Sequence, residues 1–265
     1  MRRIGLASMA ALLLAFGPVP RTPALAQDVD VALVLVSDVS RSIDDEEFAL
    51  EKDGYASALT SRAVIEAIQG GSAGRIAIAY VEFAGGTEVR TVLDWTTLDG
   101  QASAEAFGLR LKAAPRSFWG RTAIGDGVGL AEQLLAETAL NPARRVIDVC
   151  GDGTSNAGRE VTEARDEAVK AGIVVNGLAI VNGHPASWTF AHVQPPGGLA
   201  NYYRNNVTGG VGSFVLEVHD FASFGEAMTR KLVSEIADAT PAQLFAGHGT
   251  ASSAGRPTEA ASYRR

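Results

Sequence analysis

Val29-Asp30-Val31-Ala32-Leu33-Val34-Leu35-Val36-Ser37 runs without interruption into Asp38-Val39-Ser40-Arg41-Ser42. The first part is β-branched and Leu-rich, with Asp30 as its only charge. A strand with one wet face alternates apolar and polar residues, whereas a continuous apolar run reads as a strand covered on both faces of a parallel sheet. Behind it comes a loop with one carboxylate and two hydroxyls at spacing i, i+2, i+4. That spacing lets all three side chains point the same way.

Outward from this strand, helical and extended patterns alternate. Residues 44–68 have helical spacing, with Phe48, Ala49, Tyr55, Leu59, Ala63 and Ala67 on the apolar face. Ser42 or Asp44 can cap this helix, and Gly70-Gly71 ends it. Residues 75–83 form the next strand and 88–94 a shorter one. Helices are expected over 102–111 and 122–137, a strand over 144–150, and a helix over 160–171 closed by Gly172. A strand over 173–181, a long loop over 194–212 that holds Tyr202 and Tyr203, a strand over 213–218 and a helix over 221–236 complete the pattern. Strands separated by helices imply crossover units. Only residues 84–87 separate the strands at 75–83 and 88–94, too few for a crossover, so this pair is an antiparallel hairpin at a sheet edge. The fold class is α/β: a doubly wound, mostly parallel central sheet with one antiparallel edge strand and helices on both faces. Ligands of such sheets bind beyond the carboxyl ends of the strands.

The ends of the chain read differently. Arg2 and Arg3, an uncharged apolar run over 4–16 and Ala24-Leu25-Ala26 have the order of a signal peptide, with cleavage after Ala26. The run is too short to span a bilayer, and Pro18, Pro20 and Pro23 follow it. The expected organisation is a signal peptide at 1–26, a folded domain at 27–239 and a disordered tail at 240–265, rich in Ala, Ser, Gly and Pro. The location would be the periplasm or the medium, with no stable membrane span left after cleavage. Loss of Arg2, Arg3 and Arg21 takes the formal charge from −7 to −10. An acidic chain without clustered Lys and Arg is a poor partner for nucleic acid. The single cysteine, Cys150, cannot form an internal disulfide and reads as a buried small hydrophobe.

Chemistry gathers just past the strand ends. Asp38, Ser40 and Ser42 follow the first strand. Gly151-Asp152-Gly153 follows the strand ending at Cys150, and the glycines let the chain turn sharply and leave the carboxylate free. Gly120-Arg121-Thr122 precedes a helix. The sheet topology brings the three loops to one edge. Two carboxylates and three hydroxyls make an all-oxygen set, which suits Mg²⁺, Ca²⁺ or Mn²⁺ and not zinc or copper.

Asp38-x-Ser40-x-Ser42, the later Thr122 and the later Asp152-Gly153 resemble the metal-ion-dependent adhesion site of von Willebrand factor A domains. The likeness runs over 28–237. With Gly-Arg-Thr-Ala-Ile-Gly-Asp at 120–126 and Gly-Asp-Gly-Thr-Ser-Asn at 151–156, the chain is similar to an exported bacterial branch of that superfamily, a domain of unknown function. The resemblance implies that Asp38 fixes the site and that Ser40 and Ser42 are direct ligands. It also implies that Thr122 and Asp152 bind directly or through water. The family commonly has Thr or Ser before the last Asp, and here that residue is Gly151. It implies a divalent cation, Mg²⁺ first with Ca²⁺ or Mn²⁺ as alternatives, whose open position takes an Asp or Glu of a protein partner. Uncharged hydroxyl ligands leave the metal positive enough to attract that anion. Asp126, one turn after Thr122, can act as an outer acceptor. Asn156 and Ser155 read as braces of the Asp152 loop through side-chain to backbone bonds. Asp148, inside a buried strand, orients a neighbouring loop or marks a wet strand edge.

Other classes fit less well. Gly70-Gly71-Ser72-Ala73-Gly74 spells G-x-S-x-G, but it follows a helix and precedes a strand, the reverse of a nucleophile elbow. His184, His192, His219 and His248 lack metal-ligand spacing. Asp38 after an apolar strand is similar to haloacid dehalogenase-type phosphatases, but the general-acid position two residues on is Ser40. No phosphate-cradling G-x-x-x-x-G-K motif exists. A binding module is therefore expected rather than an enzyme. A metal-dependent hydrolase or phosphatase and a metal-free interaction scaffold are the alternatives.

Overall fold

A computed structural model of the protein describes residues 27–181 and 195–237. The stretches expected as signal peptide and tail, and His184, His192 and His248, lie outside them. Six strands are described: β1 (Asp28–Asp38), β2 (Ile76–Phe83), β3 (Val89–Leu98), β4 (Asn141–Gly151), β5 (Val174–Ile180) and β6 (Val215–Val218). They lie in the order β3-β2-β1-β4-β5-β6. Only the β2–β3 pair is antiparallel, so the expected edge hairpin is present.

The helices are α1 (Asp45–Leu59), α2 (Arg62–Gln69), α3 (Gln101–Ala113), α4 (Ile124–Glu137), α5 (Val161–Lys170), α6 (Leu199–Tyr202) and α7 (Phe224–Ile236), with a π-helical turn at Tyr203–Val207. The single helix expected over 44–68 is two. Thr60 bends its hydroxyl back to the Ala56 carbonyl at 2.9 Å. Ser61 is extended and caps the Val64 N–H, so the helix restarts there. Hydroxyl side chains that bond the backbone locally compete with helix continuation. Asp44 is the cap of α1, in a reciprocal pair with Glu47: Glu47 N donates to Asp44 Oδ1 at 2.8 Å and Asp44 N to Glu47 Oε2 at 2.9 Å. The stretch 195–207, expected as loop, carries α6 and the π turn. Its Pro and Gly content hid the apolar anchors Leu199, Tyr203 and Val207, which are fully buried.

β1 explains the continuous apolar run. Val31, Leu33 and Leu35 pack on one side with α1, α2 and α7; Ala32, Val34 and Val36 pack on the other with α4, α5 and residues 199–207. Both faces are dry, so both sets of alternate residues are apolar.

Asp148 lies at the centre of β4 and is fully buried, so its strand is not wet there. Its partner is a helix rather than a loop: Lys231 Nζ of α7 lies 2.7 Å from Asp148 Oδ1 and also pairs with Glu235. Asn176 Nδ2 donates to Glu235 Oε1 at 2.9 Å, and Arg144 donates to the carbonyls of Glu235 and Ile236. Burial works against the Lys231 ammonium, but Asp148 and Glu235 more than offset it and raise its pKa. Burial, with Asp148 adding to it, pushes Glu235 up to about 7. These bonds clamp the last helix to the sheet. Lys231→Met leaves two carboxylates buried without a cation and is expected to cost about 3–5 kcal/mol in urea unfolding. Replacing Asp148 and Glu235 by Leu in the same protein should recover most of that loss. Equal stability of the single variant and the parent would refute the clamp.

Candidate metal centre

The strand order reverses direction between β1 and β4, and a crevice opens at such a switch beyond the carboxyl ends of the strands. β1 ends in Asp38 and β4 ends in Gly151, with Ser37 level with Cys150. The loops after these two strands are therefore side by side.

The five oxygen-bearing residues singled out in the sequence meet there. Ser40 N donates to Asp38 Oδ1 at 2.8 Å, which folds the loop after β1 back on its own carboxylate. Ser40 Oγ lies 3.1 Å from Ser42 Oγ, and Ser42 Oγ donates to Asp152 Oδ1 at 2.8 Å. Thr122 Oγ1 donates to Ser40 Oγ at 3.3 Å. Asp38, Ser40, Thr122 and Asp152 are buried and Ser42 is half-buried. Asn156 ties two loops together: its Oδ1 accepts from Thr122 N at 3.0 Å, and its own N donates to Thr122 O. Asn156 thus braces the Asp152 loop against the Thr122 loop, and Ser155 N donates to Tyr202 Oη at 3.1 Å.

Asp126 is turned to the loop over 158–159, where its Oδ1 accepts from Arg159 N at 3.3 Å. Gly153 is buried in the bend after Asp152, but neither it nor Gly151 has the positive φ that a sharp glycine turn would need. At Gly151 the reason for glycine is close approach. A Cβ there would lie 2.9 Å from Asp38 Cβ and 2.8 Å from Tyr203 Oη.

The electrostatics are unbalanced. Burial, then the nearby Asp152, pushes the Asp38 carboxyl up to about 8. Its Oδ2 is buried without a hydrogen-bond partner. On the other side of β1, Ser37 Oγ donates to Glu51 Oε1 at 2.6 Å, and burial pushes Glu51 up to about 8 as well. Arg116 is the cation that faces the loop, but it is occupied by backbone. Its Nη2 donates to the carbonyls of Val39, Ser40 and Ile43 at 2.8, 2.7 and 2.9 Å, and its Nε reaches Phe118 O at 3.0 Å. Arg116 sets the shape of the Asp38–Ile43 loop, and the sequence held no local signal for it.

An oxygen set with a buried carboxylate oxygen that has no hydrogen-bond partner fits a hard divalent cation. Among the described residues no group of three or more His, Cys, Asp or Glu side chains is spaced to hold a metal. Here hydroxyls make up most of the donors. His219 lies beside Glu217 on the surface. Residues 70–74 form a turn between α2 and β2.

Several solved structures are similar. Proximal thread matrix protein 1 from the mussel byssus aligns with a TM-score of 0.58 at 21% identity, over 81% of this chain and 49% of that one. A further structure of it, described as having a zinc-occupied metal-ion-dependent adhesion site, aligns at 22% identity with the same coverage and score. A von Willebrand factor type A protein from Catenulispora acidiphila gives 0.52 at 16% identity, over 80% of this chain and 43% of that one. This chain therefore spans about half the length of these solved proteins. The likeness establishes the von Willebrand factor A-type fold. No curated protein matches the chain. The family model described as "protein of unknown function (DUF1194)" matches residues 28–240, and the chain belongs to that family.

Proposed function

We propose that this protein is an exported, non-enzymatic binding module that uses a divalent cation to hold a carboxylate of a protein partner. Asp38 would anchor the site, Ser40 and Ser42 would bind the cation, and Thr122 and Asp152 would bind it directly or through water. The observation that carries this reading is the pair of buried carboxylates, Asp38 and Asp152, set among three hydroxyls with Asp38 Oδ2 unpartnered. A cation there would displace the Asp38 proton and give Asp38 Oδ2 a partner. The mussel protein, described with a zinc-occupied motif of this kind, supports a divalent cation here and runs against excluding zinc on the oxygen donors alone. Mg²⁺ is the first choice, with Ca²⁺ and Mn²⁺ next, because every donor is a hard oxygen. Three of the five donors bring no charge, so the bound metal keeps a net attraction for an incoming Asp or Glu.

A binding role fits better than catalysis because Ser40 stands where a phosphatase needs a general acid. Export rests on the first 26 residues as read above. No helix among the described residues is long and apolar enough to cross a membrane.

Calorimetric titration of the chain from Gln27 should show binding of Mg²⁺, Ca²⁺ or Mn²⁺ that disappears in an Asp38→Ala, Ser40→Ala variant. A folded parent that binds none of them would refute the reading. Ser40→Asp adds a negative charge to the ligand set. It should keep the cation and lower the metal-dependent recovery of a partner.

The pH dependence has a definite sign. The Asp38 proton, held up to about 8 in the folded metal-free state, is lost near 4 in the unfolded chain. Stability of the metal-free protein from this group is therefore full below about 4 and falls as pH rises toward 8. The cation must displace that proton, so apparent metal affinity should rise by up to about tenfold per pH unit between 6 and 8 and level off above 8. A flat affinity over that range would rule out Asp38 as the coupled group.

A further inference from the structure

Tyr203 is fully buried, and its hydroxyl has no hydrogen-bond partner. An orphaned buried hydroxyl is costly, so such a group usually has a ligand or a job. Its position is specific. Gly177 of β5 makes room for the ring: a Cβ there would lie 2.7 Å from Tyr203 Cδ1. Gly151 of β4 makes room for the hydroxyl, 2.8 Å from where its Cβ would stand. Asp38 Oδ2, which is also buried without a partner, lies 3.0 Å from the same point. Two glycines on neighbouring strands thus clear a path along which a tyrosine from beyond β5 reaches the switch point.

The segment that delivers Tyr203 is equally specific. The π turn at Tyr203–Val207 follows α6 directly, and π turns of this kind occur frequently at functional sites. Its neighbour Tyr202 accepts from Ser155 N, three residues beyond Asp152. Tyr202 therefore touches the loop after β4, and Tyr203 lies beside Gly151 at the end of β4, one on each side of Asp152 in sequence.

We propose that Tyr203 is a positioning residue of the metal centre. Its hydroxyl donates to Asp38 Oδ2, directly or through one water, and holds the carboxylate in place when a cation is bound. This inference rests on the metal-binding reading above. The donor comes from a different part of the chain from the loops that carry the five oxygen residues. It also answers the absence of a side chain at Gly151: the space beside Asp38 is filled from across the sheet.

The test is Tyr203→Phe in the chain from Gln27, measured three ways. The variant keeps the ring against Gly177 and removes only an unpartnered oxygen. The melting temperature of the metal-free protein should therefore be unchanged or slightly higher. Calorimetric titration with Mg²⁺ or Mn²⁺ should show affinity reduced at least tenfold, the range of outer-sphere partners that orient ligands. Addition of metal to the parent should also produce a near-ultraviolet tyrosine difference signal that the variant lacks. A variant with lower metal-free stability but parental affinity would make Tyr203 a packing residue and overturn the inference, while the metal reading stood. A parent that binds no metal would overturn both.

Discussion

The parallel pairing of β1 with β4 is the constraint on which the rest of the molecule depends. It joins strands distant in sequence and leaves their carboxyl ends side by side, with Ser37 level with Cys150. Asp38 and Asp152 follow from those ends and are brought into one buried crevice. The pairing also makes β1 a central strand, dry on both faces, so no water is available from either side to solvate the carboxylate at its end. Burial and Asp152 then keep Asp38 protonated to about pH 8. Asp38 Oδ2 is left there without a hydrogen-bond partner.

The molecule treats buried charge in two ways. In the middle of β4, Asp148 is neutralised by Lys231, and Glu235, Asn176 and Arg144 fill in the surrounding bonds. At the end of β1, Asp38 lies among hydroxyls with its Oδ2 unpartnered, and Arg116, the nearby guanidinium, bonds backbone carbonyls. The first arrangement fixes a helix to the sheet. The second leaves one buried carboxylate oxygen, Asp38 Oδ2, without a partner, on the strand next to the one that carries the Asp148–Lys231 ion pair.

The backbone around the rim is over-determined, which such a site requires. Arg116 holds the Asp38–Ile43 loop by several carbonyls, Asn156 joins the Thr122 and Asp152 loops, and Tyr202 fastens Ser155. Each of these is a polar side chain bonding to main chain, so the loops keep their shape without a ligand.

Sequence alone determined the elements whose cause is local. Continuous apolar residues at 29–37 made β1 a doubly covered strand, the four residues between β2 and β3 made a hairpin, and Asp44 with Glu47 made a cap. The candidate ligands were legible too, because hydroxyl and carboxyl groups stand at short, fixed spacing just past strand ends, and residue type sets their chemistry. Tertiary structure decided what depends on distant partners. Ser42 meets Asp152 across 110 residues, Arg116 meets Ile43 across 73, and Lys231 lies far along the chain from Asp148. No periodicity announces such contacts. The Pro- and Gly-rich stretch before Tyr203 reads as a loop because local propensity favours one. It forms a helix and a π turn because Leu199, Tyr203 and Val207 bury their side chains against the sheet, and only packing against β5 makes that worthwhile.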